Sequence, residues 1–187
     1  GDGEFRFFGV VMERKRPGVV VDTMGIRGMR ATVLLKWNEA LWRQQIRHRQ
    51  PNLVILAYGT NESGDTRQPI SRYRQRLDRV LTRVKKAVPR ASCVIVGPTD
   101  RPIKTEGGYV DRPRVALIIE AQKNAAKKVG FAFWDARKAM GGINSMVKWV
   151  NSTPRLGGKD HVHLTGRGYR VLAEDFSNAL MAGYRRR

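Results

Sequence analysis

Short runs that are apolar at almost every position recur along the chain at 19–21, 53–56, 93–96 and 131–134, and between them apolar side chains return every three or four positions. A short, continuously apolar run suits a strand buried on both faces, whereas a 3.6-residue repeat lays an apolar stripe along one side of a helix. The clearest stripe is Ile70, Tyr73, Leu77, Val80, Leu81, Val84 and Val88, which predicts an amphipathic helix over 70–88 with Arg72, Arg76, Arg79 and Arg83 on its outer face. Leu34, Leu35, Leu41, Trp42 and Ile46 predict a helix over 32–49, ended by Pro51. Further helices are predicted over 111–129, opened by Asp111 and Pro113, and over 145–150. A last one is capped by Thr165 and faces inward through Tyr169, Leu172, Phe176 and Leu180. Residues 5–13, rich in aromatic and β-branched side chains, predict one more strand before the turn Arg16-Pro17-Gly18, and the segment through Gly107-Gly108 reads as a polar loop.

Strands alternating with helices argue for an α/β sandwich with a mainly parallel sheet. In that architecture ligands bind beyond the carboxyl ends of the strands, so the residues after Val21, Leu56, Val96 and Trp134 are the ones to inspect. The chain has 187 residues, 41% of them hydrophobic, which suits one domain with one core and excludes a disordered basic tail. Its apolar runs fall far short of the ~20 residues a membrane-spanning helix needs. One cysteine, Cys93, leaves no internal disulfide to form.

Charge changes the picture more. With 36 Lys plus Arg against 16 Asp plus Glu, the formal net charge is +20. Such a balance attracts polyanions, and the alternative function it raises is a non-catalytic basic module for nucleic acid or another polyanion. The cations are spread along the whole chain without a nucleic-acid motif, so a solvated basic surface, or attraction to an anionic cell-envelope polymer, is the better expectation.

Two strand-end segments carry chemistry. Gly59-Thr60-Asn61-Glu62 follows the run at 53–56 and puts a side-chain amide at the top of the sheet. Asn donates a hydrogen bond without charge, as an oxyanion-stabilising group should, and is equally at home as a turn residue bonding its own backbone. Asp160-His161-Val162-His163 precedes the last helix. An Asp three residues before a His can accept the imidazole Nδ1–H and leave Nε2 as a general base. The other readings are ordinary polar residues ahead of a helix cap, or His161 and His163 as metal ligands lacking a third partner.

Together these segments resemble the SGNH (GDSL) serine hydrolases, esterases and acylhydrolases. The family's third block, G-x-N-D or G-x-N-E, is similar to Gly59 through Glu62, and its fifth, D-x-x-H, to Asp160 through His163. Its second block, a Gly-containing loop after a strand, is similar to Gly25-Ile26-Arg27-Gly28. The resemblance covers about residues 17–183 and implies a flavodoxin-like three-layer α/β/α fold. It also implies acyl transfer in which His163 is the base, Asp160 orients it, and Asn61 with the Gly28 N–H holds the oxyanion, with no cofactor and no metal. Tyr58, Met140-Gly141-Gly142, Trp149 and Gly168-Tyr169 add a resemblance to bacterial exported esterases related to peptidoglycan O-acetylesterases. Those relatives imply an acylated carbohydrate substrate, an envelope or extracellular location, and residues 1–16 as the end of an inserted β module ahead of a hydrolase domain at 17–187.

The departure from the family is at its first block. No Gly-Asp-Ser occurs, Gly1-Asp2-Gly3 offers no nucleophile, and Ser63, Ser71 and Ser92 sit in a turn, at a helix start and before a strand. Because that block ends the family's central strand, the chain is expected to be the C-terminal part of a larger protein whose upstream segment supplies the strand and the Ser, or else another chain is expected to supply that strand. A start at Gly1, without Met or leader, agrees with this expectation.

Overall fold

The structure is a computed structural model that describes residues 3–4 and 10–184. The apolar runs form β1 (Leu53–Ala57), β2 (Ser92–Val96) and β5 (Ala132–Trp134), a parallel sheet of order β1-β2-β5. Leu53 lies opposite Ser92 and Ala57 opposite Val96, while Val94 lies opposite Ala132 and Val96 opposite Trp134. Parallel neighbours require a crossover, supplied by α2 (Ile70–Ala87) between β1 and β2 and by α3 (Pro113–Val129) between β2 and β5.

Side chains alternate across a strand, so the register sorts them into two faces. Leu56, Cys93 and Ile95 point into the main core, where Leu77, Leu81 and Val84 of α2 and Ile118 and Ala125 of α3 close over them. On the opposite face Trp134 meets Phe176 of the last helix, α6 (Gly166–Tyr184), edge-on with ring centroids 5.1 Å apart. Helices on both sides of a parallel sheet make the three-layer α/β/α arrangement. At β1 the α6 side stays open: Leu53 and Ile55 are 41% and 47% exposed, and among the described residues no strand pairs with the outer edge of β1.

That open edge accounts for the run at 19–21. Residues 19–21 form no strand, and Val19, Val20 and Val21 are 90%, 60% and 77% exposed. A strand exists through its ladder, and without an element beside β1 the apolar run has nothing to pair with. Of the strand expected over 5–13, residues 5–9 lie outside the described residues and 10–13 form no regular element.

Other differences are local. The helix expected over 32–49 is a 3₁₀ turn, Ala31–Leu35, followed by α1 (Glu39–His48). Asn38 Oδ1 accepts the Leu41 N–H at 3.0 Å, and a residue that caps so readily starts a new helix instead of lying inside one. Arg83 is not on an outer face: it is buried, its guanidinium lies 5.3 Å from the Trp42 ring centre, and Nη2 donates to the Trp37 carbonyl at 2.7 Å. Thr165 caps α6 by accepting the Gly168 N–H at 3.1 Å, and Leu172 packs with Met140, Met146, Val150 and Leu164. Tyr169 and Leu180, expected inward, are exposed because α6 meets the sheet at β5 and not at β1.

The connection from β2 to α3 is more structured than a polar loop. It holds a hairpin, β3 (Ile103–Thr105) and β4 (Gly108–Val110), whose three-residue strands are too short for a period of two to register. Its base is held by a buried cation. Arg137, on the four-residue α4 (Ala136–Ala139), donates from Nε to Asp100 Oδ1 at 2.9 Å and from Nη2 to Asp111. Asp100 Oδ2 accepts the Met146 N–H of α5 (Ser145–Asn151) at 3.1 Å. Asp111, read as a helix start, is therefore an ion-pair partner, and the helix begins at Pro113.

Candidate active site

The turn after β1 is built on Gly59. Its φ is +123°, and a Cβ there would lie 2.9 Å from Pro98 Cδ, so only glycine fits. The chain then folds into a 3₁₀ turn, Glu62–Gly64, that buries Glu62. Glu62 Oε2 accepts the Gly59 N–H at 3.0 Å and Oε1 accepts the Ala31 N–H at 2.9 Å. Burial pushes its carboxyl above the usual range, while those N–H donors and the Arg30 guanidinium hold it back. One carboxylate thus fastens the turn after β1 to the segment that follows Gly28.

The same two segments meet at Asn61. Its Nδ2 donates to the Met29 carbonyl at 3.0 Å, and it makes no capping bond to its own turn. The reading of Asn61 as a self-bonding turn residue therefore does not hold. Gly28 has φ +75° in the adjoining turn, where Met29 N–H donates to the Ile26 carbonyl at 3.2 Å. Arg30 Nε to Asp65 Oδ2, at 2.6 Å, adds a third clasp.

The other half of the site lies just before α6. His163 Nδ1 is 2.5 Å from Asp160 Oδ2, and Asp160 Oδ1 accepts the N–H of Val162 and of His163, each at 3.0 Å. The hydrogen bond from His163, ahead of the backbone donors, brings the Asp160 carboxyl down to about 2. Asp160 is therefore ionised at neutral pH and holds the ring through Nδ1, while the His163 side chain is 65% exposed. His161 is engaged differently: its ring stacks on Tyr109 with centroids 3.8 Å apart, and its Nδ1 lies 3.1 Å from the Lys159 carbonyl. Among the described residues no three metal-ligating side chains cluster.

No direct hydrogen bond joins Asn61 to His163 among the described residues; the β2–α3 connection touches both halves. Arg101 Nη1 donates to the Thr60 carbonyl at 2.7 Å, beside Asn61, and Tyr109 reaches His161, two positions from His163. β1 and β2 are parallel, so the Asn61 turn and this connection leave the same end of the sheet. Ser63 is fully buried; its Oγ donates to the Thr60 carbonyl at 2.7 Å and accepts from Arg101 at 3.3 Å, which leaves no hydroxyl to attack a substrate. Glu62, Arg101 and Tyr109 escaped the sequence reading because each acts through a partner 31 to 52 positions away. The only signal for Glu62 was its place in Gly59-Thr60-Asn61-Glu62.

The model of the GDSL-like lipase/acylhydrolase family matches residues 1–171. The chain belongs to that family. The chain is similar to a solved peptidoglycan O-acetylesterase, 29% identical with a TM-score of 0.80, over 88% of this chain and 46% of that one. It spans less than half the length of that relative. It is similar in fold to an acetylxylan esterase from Geobacillus stearothermophilus, 18% identical with a TM-score of 0.56, over 80% of this chain and 66% of that one. The acetyl xylan esterase AlAXEase, 16% identical with a TM-score of 0.60, covers 83% of this chain and 78% of its own. No curated protein matches.

Proposed function

We propose that this chain is the acyl-binding and proton-handling part of an esterase that removes O-acyl groups, acetyl above all, from carbohydrate or a cell-wall polymer. The observation that carries the reading is the pairing of His163 with an ionised Asp160 at 2.5 Å, on a turn tied through Tyr109 to the connection that also holds the Asn61 turn. The peptidoglycan O-acetylesterase likeness supports the substrate class. Residues 17–187 are the hydrolase domain, and 1–16 end an inserted module.

In this reading a Ser enters on a parallel strand along the open edge of β1, brought by an upstream segment of the same protein. Leu53 and Ile55 then gain the cover they lack. His163 Nε2 takes the Ser proton as Oγ attacks the ester carbonyl, and Asp160 stabilises the imidazolium that forms. The Asn61 amide, whose second N–H is not used by Met29, and the Gly28 N–H donate to the tetrahedral oxyanion. His163 then protonates the departing sugar oxygen, and water repeats the cycle on the acyl-Ser. The basic surface draws the chain toward anionic envelope polymers.

The test is acetate release from O-acetylated peptidoglycan and from acetylxylan by the chain joined to an upstream Gly-Asp-Ser strand. Hydrolysis that vanishes when that Ser becomes Ala supports the reading. A folded, Ser-bearing protein that releases acetate from neither polymer nor from p-nitrophenyl acetate defeats it.

A further inference from the structure

The turn that carries Asp160 and His163 is tied down mainly within itself. Among the described residues, the hydrogen bonds of residues 158–163 all close inside that segment: His161 N–H to the Gly158 carbonyl at 3.0 Å, Gly158 N–H to the His163 carbonyl at 2.7 Å, and the bonds from Val162 and His163 to Asp160. Such bonds set the shape of the turn; its ends are anchored by the Gly157–Leu164 bridge and by the Gly157 N–H donating to the Trp149 carbonyl at 2.9 Å, while its tip at 160–162 makes no further hydrogen bond outside the segment among the described residues. His161 is held at φ +56°, a left-handed backbone that turns its ring away from the path of its neighbours. That ring lies flat on Tyr109, with centroids 3.8 Å apart and planes 21° apart.

Tyr109 has a firm base. It belongs to β4, paired with Lys104 of β3, and the hairpin is flanked by Asp100 and Asp111, both bonded to the buried Arg137. Arg112 Nε closes the neck by donating to the Arg101 carbonyl at 3.1 Å, and Arg101 itself holds the Thr60 carbonyl next to Asn61. The chain of contacts therefore runs from the Asn61 turn through Arg101 and the hairpin to Tyr109, and from Tyr109 to the turn of His163.

We propose that Tyr109 is a positioning residue for the base: its stack on His161 fixes the Asp160–His163 turn relative to the Asn61 side of the site. The inference rests on the esterase reading for its purpose, since that reading is what makes the placement of His163 count. It commits to a specific division of labour. His161 is neither base nor ligand; it is the handle by which the hairpin holds the base.

The experiment uses the 187-residue chain itself. In proton NMR the His161 ring protons of the wild type should show the upfield shift of a ring lying over an aromatic face, lost in Tyr109→Ala and Tyr109→Leu and kept in Tyr109→Phe. Carboxyl ¹³C titration should leave the Asp160 midpoint at about 2 in every variant, because the Asp160–His163 bond closes within the turn, so a loss of rate reports the placement of the base and not its pairing. The Leu variant keeps apolar bulk should the Ala variant fail to fold. In the Ser-bearing esterase, Tyr109→Leu should lower kcat by roughly ten- to a hundred-fold, with KM little changed and Tyr109→Phe near wild type. No ring-current shift on His161 in the wild type, an Asp160 midpoint that rises in folded Tyr109→Leu, or an unchanged kcat for that variant in the Ser-bearing esterase overturns the proposal. NMR results as expected in a protein without esterase activity would instead overturn the proposed function and leave the stack standing.

Discussion

Glu62 Oε1 accepts the backbone N–H of Ala31 at 2.9 Å, across 31 positions of sequence. Its other oxygen holds Gly59, so a single buried carboxylate joins the two segments that bear Gly28 and Asn61. Glu62→Ala strands two backbone N–H groups, at least one of them deep in the fold, and should destabilise by about 2–4 kcal/mol. In a chain of this size that lowers Tm by roughly 5–15 °C, read by circular dichroism. Glu62→Gln keeps one acceptor oxygen and should lose about half as much; equal losses in the two variants would show that the bonds to Ala31 and Gly59 are not what the carboxylate provides.

Asn61 is expected to act in the transition state. In the Ser-bearing esterase Asn61→Ala should lower kcat by roughly 10²–10³ with KM nearly constant, because the amide bonds the oxyanion more strongly than the ester carbonyl. Its bond to the Met29 carbonyl makes the cost in stability about 1 kcal/mol. Asn61→Asp, which cannot donate and adds negative charge, should be worse than Ala. Steady-state kinetics that rank Asp at or above Ala would remove Asn61 from the oxyanion site.

Asp160 sets a pH window. Its carboxyl is depressed to about 2 by the His163 hydrogen bond, against an unfolded value of about 3.9. A depressed carboxyl adds stability that is complete above the unfolded value and is lost as pH falls through the folded one, so the contribution disappears between about pH 4 and pH 2. Half-exposed as it is, the pair is screened by water and contributes little in absolute terms. Comparing the wild type with Asp160→Asn by denaturant unfolding should show a gap at pH 6 that closes over that window. A gap that stays constant down to pH 2 would mean that the carboxylate is not bonded to His163.

The 187-residue chain alone should hydrolyse p-nitrophenyl acetate no faster than free imidazole does. His163 and Asp160 can accept a proton and Asn61 can polarise an acyl group, yet Ser63 is sealed beneath Arg101 and Thr60. Loss of the nucleophile in serine hydrolases costs on the order of 10⁶ in kcat. A fluorophosphonate probe should leave the chain unlabelled. Labelling at Ser63 together with fast turnover would reassign the nucleophile.

Much of this protein was legible in the residues alone. The runs at 53–56, 93–96 and 131–134 could satisfy neither solvent nor a helix and became the parallel strands, and the stripe from Ile70 to Val88 could bury its apolar side chains in one way only. The spacing of Asp160 and His163 was enough to bring Nδ1 onto a carboxylate, because three residues of turn suffice for it.

Tertiary structure decided whatever depended on a partner distant in the sequence. Val19, Val20 and Val21 have strand residues but, among the described residues, no neighbouring strand, and since a ladder needs two sides they stay exposed. Arg83 has the helical spacing of a solvated face, yet Trp42 and the Trp37 carbonyl draw it under the surface. Tyr109 meets His161 only because Arg137 binds Asp100 and Asp111 and so fixes the hairpin between them. Periodicity records what each residue must hide from water; which side chain does the hiding is settled by the packing of segments that the sequence keeps apart.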